Sequence, residues 1–203
     1  MLLMRRFLII LSVMLMPLPV YAAGDVASDS SGTSVKIAPL DPVKQQALEL
    51  DKLFGDLHGD KGKRDPDGTE LKIRNAWMRN ASPMAEVLLG QATMAMQEGA
   101  FDTSETMLDT VIGSYPEYME ALDRRATLYF QTKRFDEALS DIELVLDLEP
   151  RHFGALAGRG MILHAQGKLK EAEAALREAL AINPQMEIVK NALKKIEHDE
   201  PDI

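Results

Sequence analysis

Prolines 116, 150 and 184 stand 34 residues apart. The same step relates Leu88, Leu122 and Leu156, then Ala92, Ala126 and Gly160, then Phe101, Phe135 and Leu169, and Ser104, Ala138 and Ala172. Five position sets in one register describe a repeated unit that cannot bury its apolar face alone and must stack on its neighbours. Within each unit the apolar residues recur at three and four positions, the helical spacing. A small residue recurs once in each predicted helix, where two helices have to approach closely. Only 5% of the chain is aromatic, which suits small-residue helix packing better than a sheet sandwich. The expectation is an all-α solenoid of helical hairpins spanning about 84–113, 118–147 and 152–181, with each proline ending one hairpin and opening the next.

Charge and cysteine content exclude several classes. The 203 residues carry a formal charge of −9, and removing residues 1–22 takes away Arg5 and Arg6 but no acid, leaving −11. Such a surface repels phosphate backbones, so nucleic acid is not an expected partner. There is no cysteine, which removes disulfides, zinc thiolates, cysteine nucleophiles and acylated lipoprotein anchors.

The N-terminal residues read as an address. Met1 to Arg6 is basic, Phe7 to Val20 is almost wholly apolar, and Val20-Tyr21-Ala22 places small residues at a cleavage site. This is the layout of a secretory signal over 1–22, with cleavage expected after Ala22 and no membrane insertion afterwards. The competing reading is an uncleaved inner-membrane anchor. Against it, the apolar run is shorter than the roughly 20 residues needed to span, and Pro17 and Pro19 interrupt it. Residues 23–40, rich in Ser, Gly, Asp and Thr, read as a disordered linker.

Residues 41–83 hold a helical pair. Val43, Ala47, Leu50, Phe54 and Leu57 form one apolar stripe. Asp60 to Gly68 reads as a loop, and a second helix over 70–80 is expected to bury Leu71, Ile73 and Trp77. The pair is the size of a hairpin and precedes the first clear repeat, so it is expected to cap the N-terminal end of the stack. At the other end Asn183-Pro184 is expected to start a helix over 185–198, with Met186, Val189, Leu193 and Ile196 as its stripe, capping the last hairpin. Residues 199–203 form an acidic tail.

The segment Ala121-Leu122-Asp123-Arg124-Arg125-Ala126-Thr127-Leu128-Tyr129, with Phe135-Asp136-Glu137-Ala138-Leu139 and Leu148-Glu149-Pro150, resembles a tetratricopeptide repeat. Gly160, Gly167, Ala172, Ala179 and Pro184 carry the motif into a third copy. The copies run about 85–118, 119–152 and 153–184, in a block over 84–184. The first departs most, with Ser104 and Val111 in place of alanines. With its signal, the whole chain resembles periplasmic tetratricopeptide-repeat proteins of Gram-negative bacteria. The resemblance implies a right-handed superhelix whose concave face, lined by the first helix of each hairpin, takes an extended peptide or a partner helix.

Projected on that face are Glu86, Leu89, Thr93 and Met96 from the first copy. Asp123, Arg124, Thr127 and Phe130 come from the second, and Met161 and His164 from the third. Phe130 and Arg124 have the chemistry of anchors, and Met adapts to varied partners. The family's chaperone-binding members clamp a terminal carboxylate with Lys, Asn and Arg; here Leu89 and Thr93 stand where that set would need Lys and Asn. Arg125 falls on a largely apolar helix face and calls for a partner, with Asp141 suitably placed. Arg159, one period later, is expected to reach back to Asp141 or Glu143.

The sequence holds no phosphate-cradling glycine loop, no Gly-x-Ser-x-Gly elbow and no His-Glu-x-x-His. His58, His152, His164 and His198 lack ligand spacing. Neither a metal nor a cofactor is expected, and the chain reads as a non-enzymatic protein-binding adaptor of the periplasm, serving cell-envelope assembly or maintenance. The alternative is a structural subunit docked permanently in an envelope complex through its convex face or N-terminal segment.

Overall fold

The computed structural model describes residues 42–78 and 82–199. The predicted signal, the linker and the end of the acidic tail lie outside them. Among the described residues there are ten helices and no strand. Helix α1 covers Pro42–His58, α2 Asp60–Arg64 and α3 Pro66–Met78. Three hairpins follow: α4 Pro83–Gln97 with α5 Phe101–Ser114, α6 Met119–Gln131 with α7 Phe135–Leu148, and α8 Phe153–Ala165 with α9 Leu169–Ile182. Helix α10, Glu187–Asp199, is the last helix among the described residues.

Each hairpin turns in the same way. Gly99, Lys133 and Gly167 hold positive φ of 77°, 62° and 76°. The next residue's N–H reaches back five positions, from Ala100 to the Ala95 carbonyl, Arg134 to Tyr129 and Lys168 to Leu163. This left-handed helix end suits glycine and strains Lys133.

The prolines sit in the inter-hairpin turns. Tyr118, His152 and Met186 donate their N–H to the carbonyls of Tyr115, Glu149 and Asn183, three positions back. Each proline is thus the second residue of a four-residue turn, where its fixed φ fits. Pro184 belongs to such a turn, and α10 begins only at Glu187.

The small residues mark the helix crossings. Ala92, Ser104, Ala126, Ala138 and Ala172 are all buried. The Ser104 hydroxyl donates to the Ala92 carbonyl at 2.8 Å across the first crossing. A Cβ at Gly160 would stand 2.6 Å from Leu176 Cγ, so the third crossing is too close for a side chain.

Arginines clamp successive hairpins. Arg125 donates from Nε and Nη2 to both oxygens of buried Asp141, each at 2.8 Å, and from Nη1 to Asp109 of the preceding hairpin at 2.7 Å. Arg159 lies 3.7 Å from Glu143 of the preceding hairpin and donates at 2.5 Å to Glu178. Its own second helix therefore does supply a carboxylate, close to the C-terminal end of α9, so the reach back is only one of its two contacts. These bonds hold the Arg125 guanidinium more firmly charged than usual, against the opposing effect of burial.

The helical pair differs from expectation in extent and in place. Residues 60–68 form α2 and the start of α3, with Asp65 accepting from the Gly68 N–H at 3.1 Å. Leu71, expected inside, is 57% exposed, while Ile73, Ala76 and Trp77 are buried. The pair packs against the inter-hairpin turns of the second and third hairpins instead of covering the first. Its core of Leu50, Phe54, Leu57, Ile73 and Trp77 is completed by Phe153 at the head of α8. Arg151 binds Asp51, Asn183 donates to Glu70, and His58 Nε2 lies 3.0 Å from the Ala181 carbonyl. The stack's register supplies a reason. Thirty-four residues before the small positions Ala92 and Ser104 stand His58 and Glu70. Side chains of that size cannot form the close crossing of a further hairpin, and these two bond to the C-terminal end of α9 and to Asn183.

Helix α10 packs along α9 and the α8 side, burying Val189, Leu193 and Ile196 with Leu156, Ala157, Leu176 and Ala179. No helix among the described residues is long and apolar enough to cross a membrane.

Candidate functional site

The first helices α4, α6 and α8 line a concave face, and three depressions run along it. The central one, a cavity of about 390 Å³, lies between α6 and α8, with α3 and the start of α10 as walls. It gathers Asp123, Arg124, Thr127, Phe130 and Met161. Towards the first hairpin a wider trough of about 650 Å³ holds Glu86, Leu89 and Thr93, and shares Arg124 with the central cavity. Towards α10 a third depression of about 350 Å³ holds His164 and shares Met161 and Ile188. The shared side chains make one continuous surface.

Met96 is not part of it. Its side chain is buried in the core shared by the first two hairpins, because it lies on the same side of α4 as Ala85, Ala92 and Leu89. Leu89 is likewise mostly buried and shows the trough only an edge.

The lining is apolar below and charged at the rim. Phe130 is half-buried, with its ring 5.9 Å from that of Phe135 and tilted. The Thr127 hydroxyl donates to the Asp123 carbonyl, so its methyl remains as a contact group. Arg124 is partly exposed and only 3.9 Å from Glu120, a loose pair that leaves the guanidinium available to a ligand. Glu120 is buried, and desolvation, reinforced by the charge of Asp123, pushes its carboxyl above the usual range. Beside it the Tyr118 hydroxyl is pushed up to about 12, first by burial and then by Glu120.

Several wall residues are absent from the sequence-derived set. Arg74 and Trp77 enter from α3, His152 and Phe153 from the head of α8, and Ile188 from α10. His152 caps α8, its Nδ1 accepting from the Ala155 N–H at 2.9 Å, and its ring stacks on Trp77 with centroids 4.2 Å apart. Burial lowers its pKa and keeps the ring neutral. With Nδ1 an acceptor, the proton sits on Nε2, which has no hydrogen-bond partner among the described residues. The sequence signals were the aromatic pair after Pro150 and the bulky residues at the small positions of the N-terminal pair. Neither shows which long-range surface they meet. Arg74 donates to Glu70 at 2.9 Å, which steadies it in the wall.

Among the described residues no three His, Asp or Glu side chains gather to hold a metal ion. The arrangement offers shape, one loosely held cation and apolar contacts, which is the chemistry of binding.

Comparison with known proteins agrees with the geometry. A family model described as tetratricopeptide repeat matches residues 89–148 and 124–187. A TPR repeat-containing protein of Rhizobium etli is 33% identical over 121 residues, 58% of each chain, so this chain spans about 58% of the length of that curated relative. Among solved structures, the first TPR of Spaghetti (RPAP3), bound to an HSP90 peptide, superposes with a TM-score of 0.55 at 27% identity. It covers 58% of this chain and 94% of that one. The first TPR domain of human RPAP3 gives 0.55 at 28%, covering 57% and 91%. Repeat register, hairpin geometry and these likenesses agree: residues 89–187 of this chain are tetratricopeptide repeats.

Proposed function

We propose that this protein is a non-enzymatic adaptor that holds a peptide or a helix of another protein in its concave face. The observation that carries this reading is the central cavity, where Phe130, Thr127 and Met161 form an apolar floor beside the loosely paired Arg124. Its structural neighbour Spaghetti, at 27% identity, holds an HSP90 peptide. An acidic C-terminal tail is a poor ligand for the present groove. Leu89 is mostly buried, Thr93 donates its hydroxyl to the Leu89 carbonyl, and Glu86 lies alongside. An apolar segment with one carboxylate for Arg124 fits better.

The basic and apolar N-terminal residues support export to the periplasm with loss of residues 1–22, and hence a partner in cell-envelope assembly or maintenance. Intact-mass measurement on protein from the native host checks the first step: the expected species begins at Ala23, and one beginning at Met1 refutes it. Proximity labelling in the same compartment checks the adaptor. Phe130→Ala and Arg124→Ala should each lose the partner held by the unaltered chain. A partner set unchanged by both substitutions overturns the reading in favour of a subunit docked through another face.

A further inference from the structure

Among the described residues nothing covers the outer side of α4. Met84, Val87 and Met94 are 66%, 54% and 61% exposed and fall on one stripe of the helix. This is the side on which an earlier hairpin would stack, and the N-terminal pair packs elsewhere. Gly90 adds no side chain, leaving the surface between Val87 and Met94 flat enough for close approach, and it also lines the trough between α3 and α4.

Charge gives the occupant its chemistry. Between Arg79 and Arg124 the chain holds eight acids and no Lys or Arg. Glu105 and Asp109 are paired by Arg134 and Arg125 of the next hairpin, while Glu120 and Asp123 face the central cavity. Glu86, Glu98, Asp102 and Glu117 remain, all exposed and without an ion pair among the described residues. Glu98 lies one turn beyond Met94 on the same stripe. A methionine-rich apolar strip with an acidic margin repels lipid headgroups and nucleic acid and attracts cations.

We propose that the outer face of α4 docks a cationic amphipathic helix of a partner protein. The helix completes the stack where its first hairpin is uncovered, with apolar residues on Met84, Val87 and Met94 and Lys or Arg towards Glu86 and Glu98. The strip borders the trough at Glu86, Gly90 and Met94 but includes neither Phe130 nor any other residue of the central cavity, so a partner here leaves that cavity free.

The test uses the full chain and a synthetic probe, a labelled peptide of α4's length with Leu on one helical face and Lys on the other. Fluorescence anisotropy should show binding that weakens with added salt. It should fall at least tenfold for a scrambled peptide of equal composition, and as much again for the Val87→Lys/Met94→Lys variant. Phe130→Ala should bind the probe unchanged. Both altered α4 positions are exposed, and a far-UV melting curve matching the parent shows that the variant is folded. If it melts early, Val87→Ser alone replaces it, with a smaller loss expected. Equal binding of the scrambled peptide, or no loss in the folded variant, overturns the proposal. Loss with Phe130→Ala alone does so too, by moving the probe into the cavity. Sedimentation of the chain as a dimer that Val87→Lys/Met94→Lys dissolves assigns the face to a second copy and refutes a separate partner.

Discussion

The two elements that flank the hairpins each bury an apolar stripe and end up in different relations to the stack. Helix α10 follows the last hairpin through the same proline turn that joins the hairpins to each other. It therefore arrives where the next first helix would lie, and Val189, Leu193 and Ile196 close the core of the third hairpin. The pair α1–α3 shares the approximate length of a hairpin but not its small positions, and it packs across the inter-hairpin turns around Phe153. One element ends the stack lengthwise. The other braces its side, adds Arg74 and Trp77 to the central cavity and does not cover the outer side of α4. Position along the chain is a poor guide to capping; the residues at the crossing positions decide it.

The strongest way to break this contrast is at Phe153. Its ring is fully buried, 5.3 Å from that of Trp77, and truncating such a side chain costs about 3–5 kcal/mol. Phe153→Ala should loosen the N-terminal pair first. Trp77, the only tryptophan, should report an early fluorescence transition in urea, ahead of the loss of far-UV ellipticity. Coincident transitions at an unchanged midpoint would show that Phe153 does not hold the pair.

The matching change at the other end is Leu193→Ala, at a cost of about 2–5 kcal/mol. Because Leu193 belongs to the cluster around Leu176 and not to that around Trp77, the native Trp77 emission should stay where it is while the ellipticity midpoint falls. A shift in native emission would mean that the two ends are packed as one.

The sequence disclosed the stack and its turns because a 34-residue period is a local and repeated signal. The hairpin limits and the crossings at Ala92, Ala126 and Gly160 follow from register alone, and the charge of Arg125 on an apolar helix face pointed to Asp141 but not to Asp109. Placement of α1–α3 depends on contacts across about a hundred residues, such as Asp51 with Arg151, for which no period exists. The hint was negative: His58 and Glu70 at positions that elsewhere demand small side chains. The concave face was legible in part for the same reason. Its α6 contributions follow from helix geometry, whereas Met96 faced inward and His152, Phe153 and Trp77 entered from segments outside the first helices.

A smaller effect separates the ends by pH, because both described histidines that hold the N-terminal pair titrate and α10 has no counterpart in that contact. Burial lowers the pKa of His152 below its ordinary 6.5. The unfolded chain then takes up the proton first, so this contribution is present above 6.5 and is lost as pH falls towards the folded value. His58 acts in the opposite sense. The carbonyls of Ala181 and then Phe54 raise its pKa, so its contribution is full below 6.5 and is lost as pH rises through the folded value. In urea titrations followed by Trp77, His152→Asn, which retains a capping side chain, should flatten the loss of stability on acidification. His58→Gln should steepen it. Parallel pH profiles for both variants and the parent would place neither ring in the contact.

The weakest expected effects come from the ion pairs that join each flank to the stack. Asp51 and Arg151 lie 2.6 Å apart, yet their side chains are 64% and 39% exposed; Glu197 and Arg177, between α10 and α9, are 57% and 58% exposed. Water screens both, and such pairs are worth about 0–1 kcal/mol. Arg151 has a second reason to stay in place, since its guanidinium lies 4.4 Å from the centre of the Phe54 ring, a contact that does not need Asp51. Asp51→Asn and Glu197→Gln should therefore each move the urea midpoint only slightly and by similar amounts, with the Asp51 effect shrinking in added salt. A loss at Asp51 as large as that from Phe153→Ala would make the brace an electrostatic one. Its position across the turns would then be set by Arg151, and the bulk of His58 and Glu70 would be incidental.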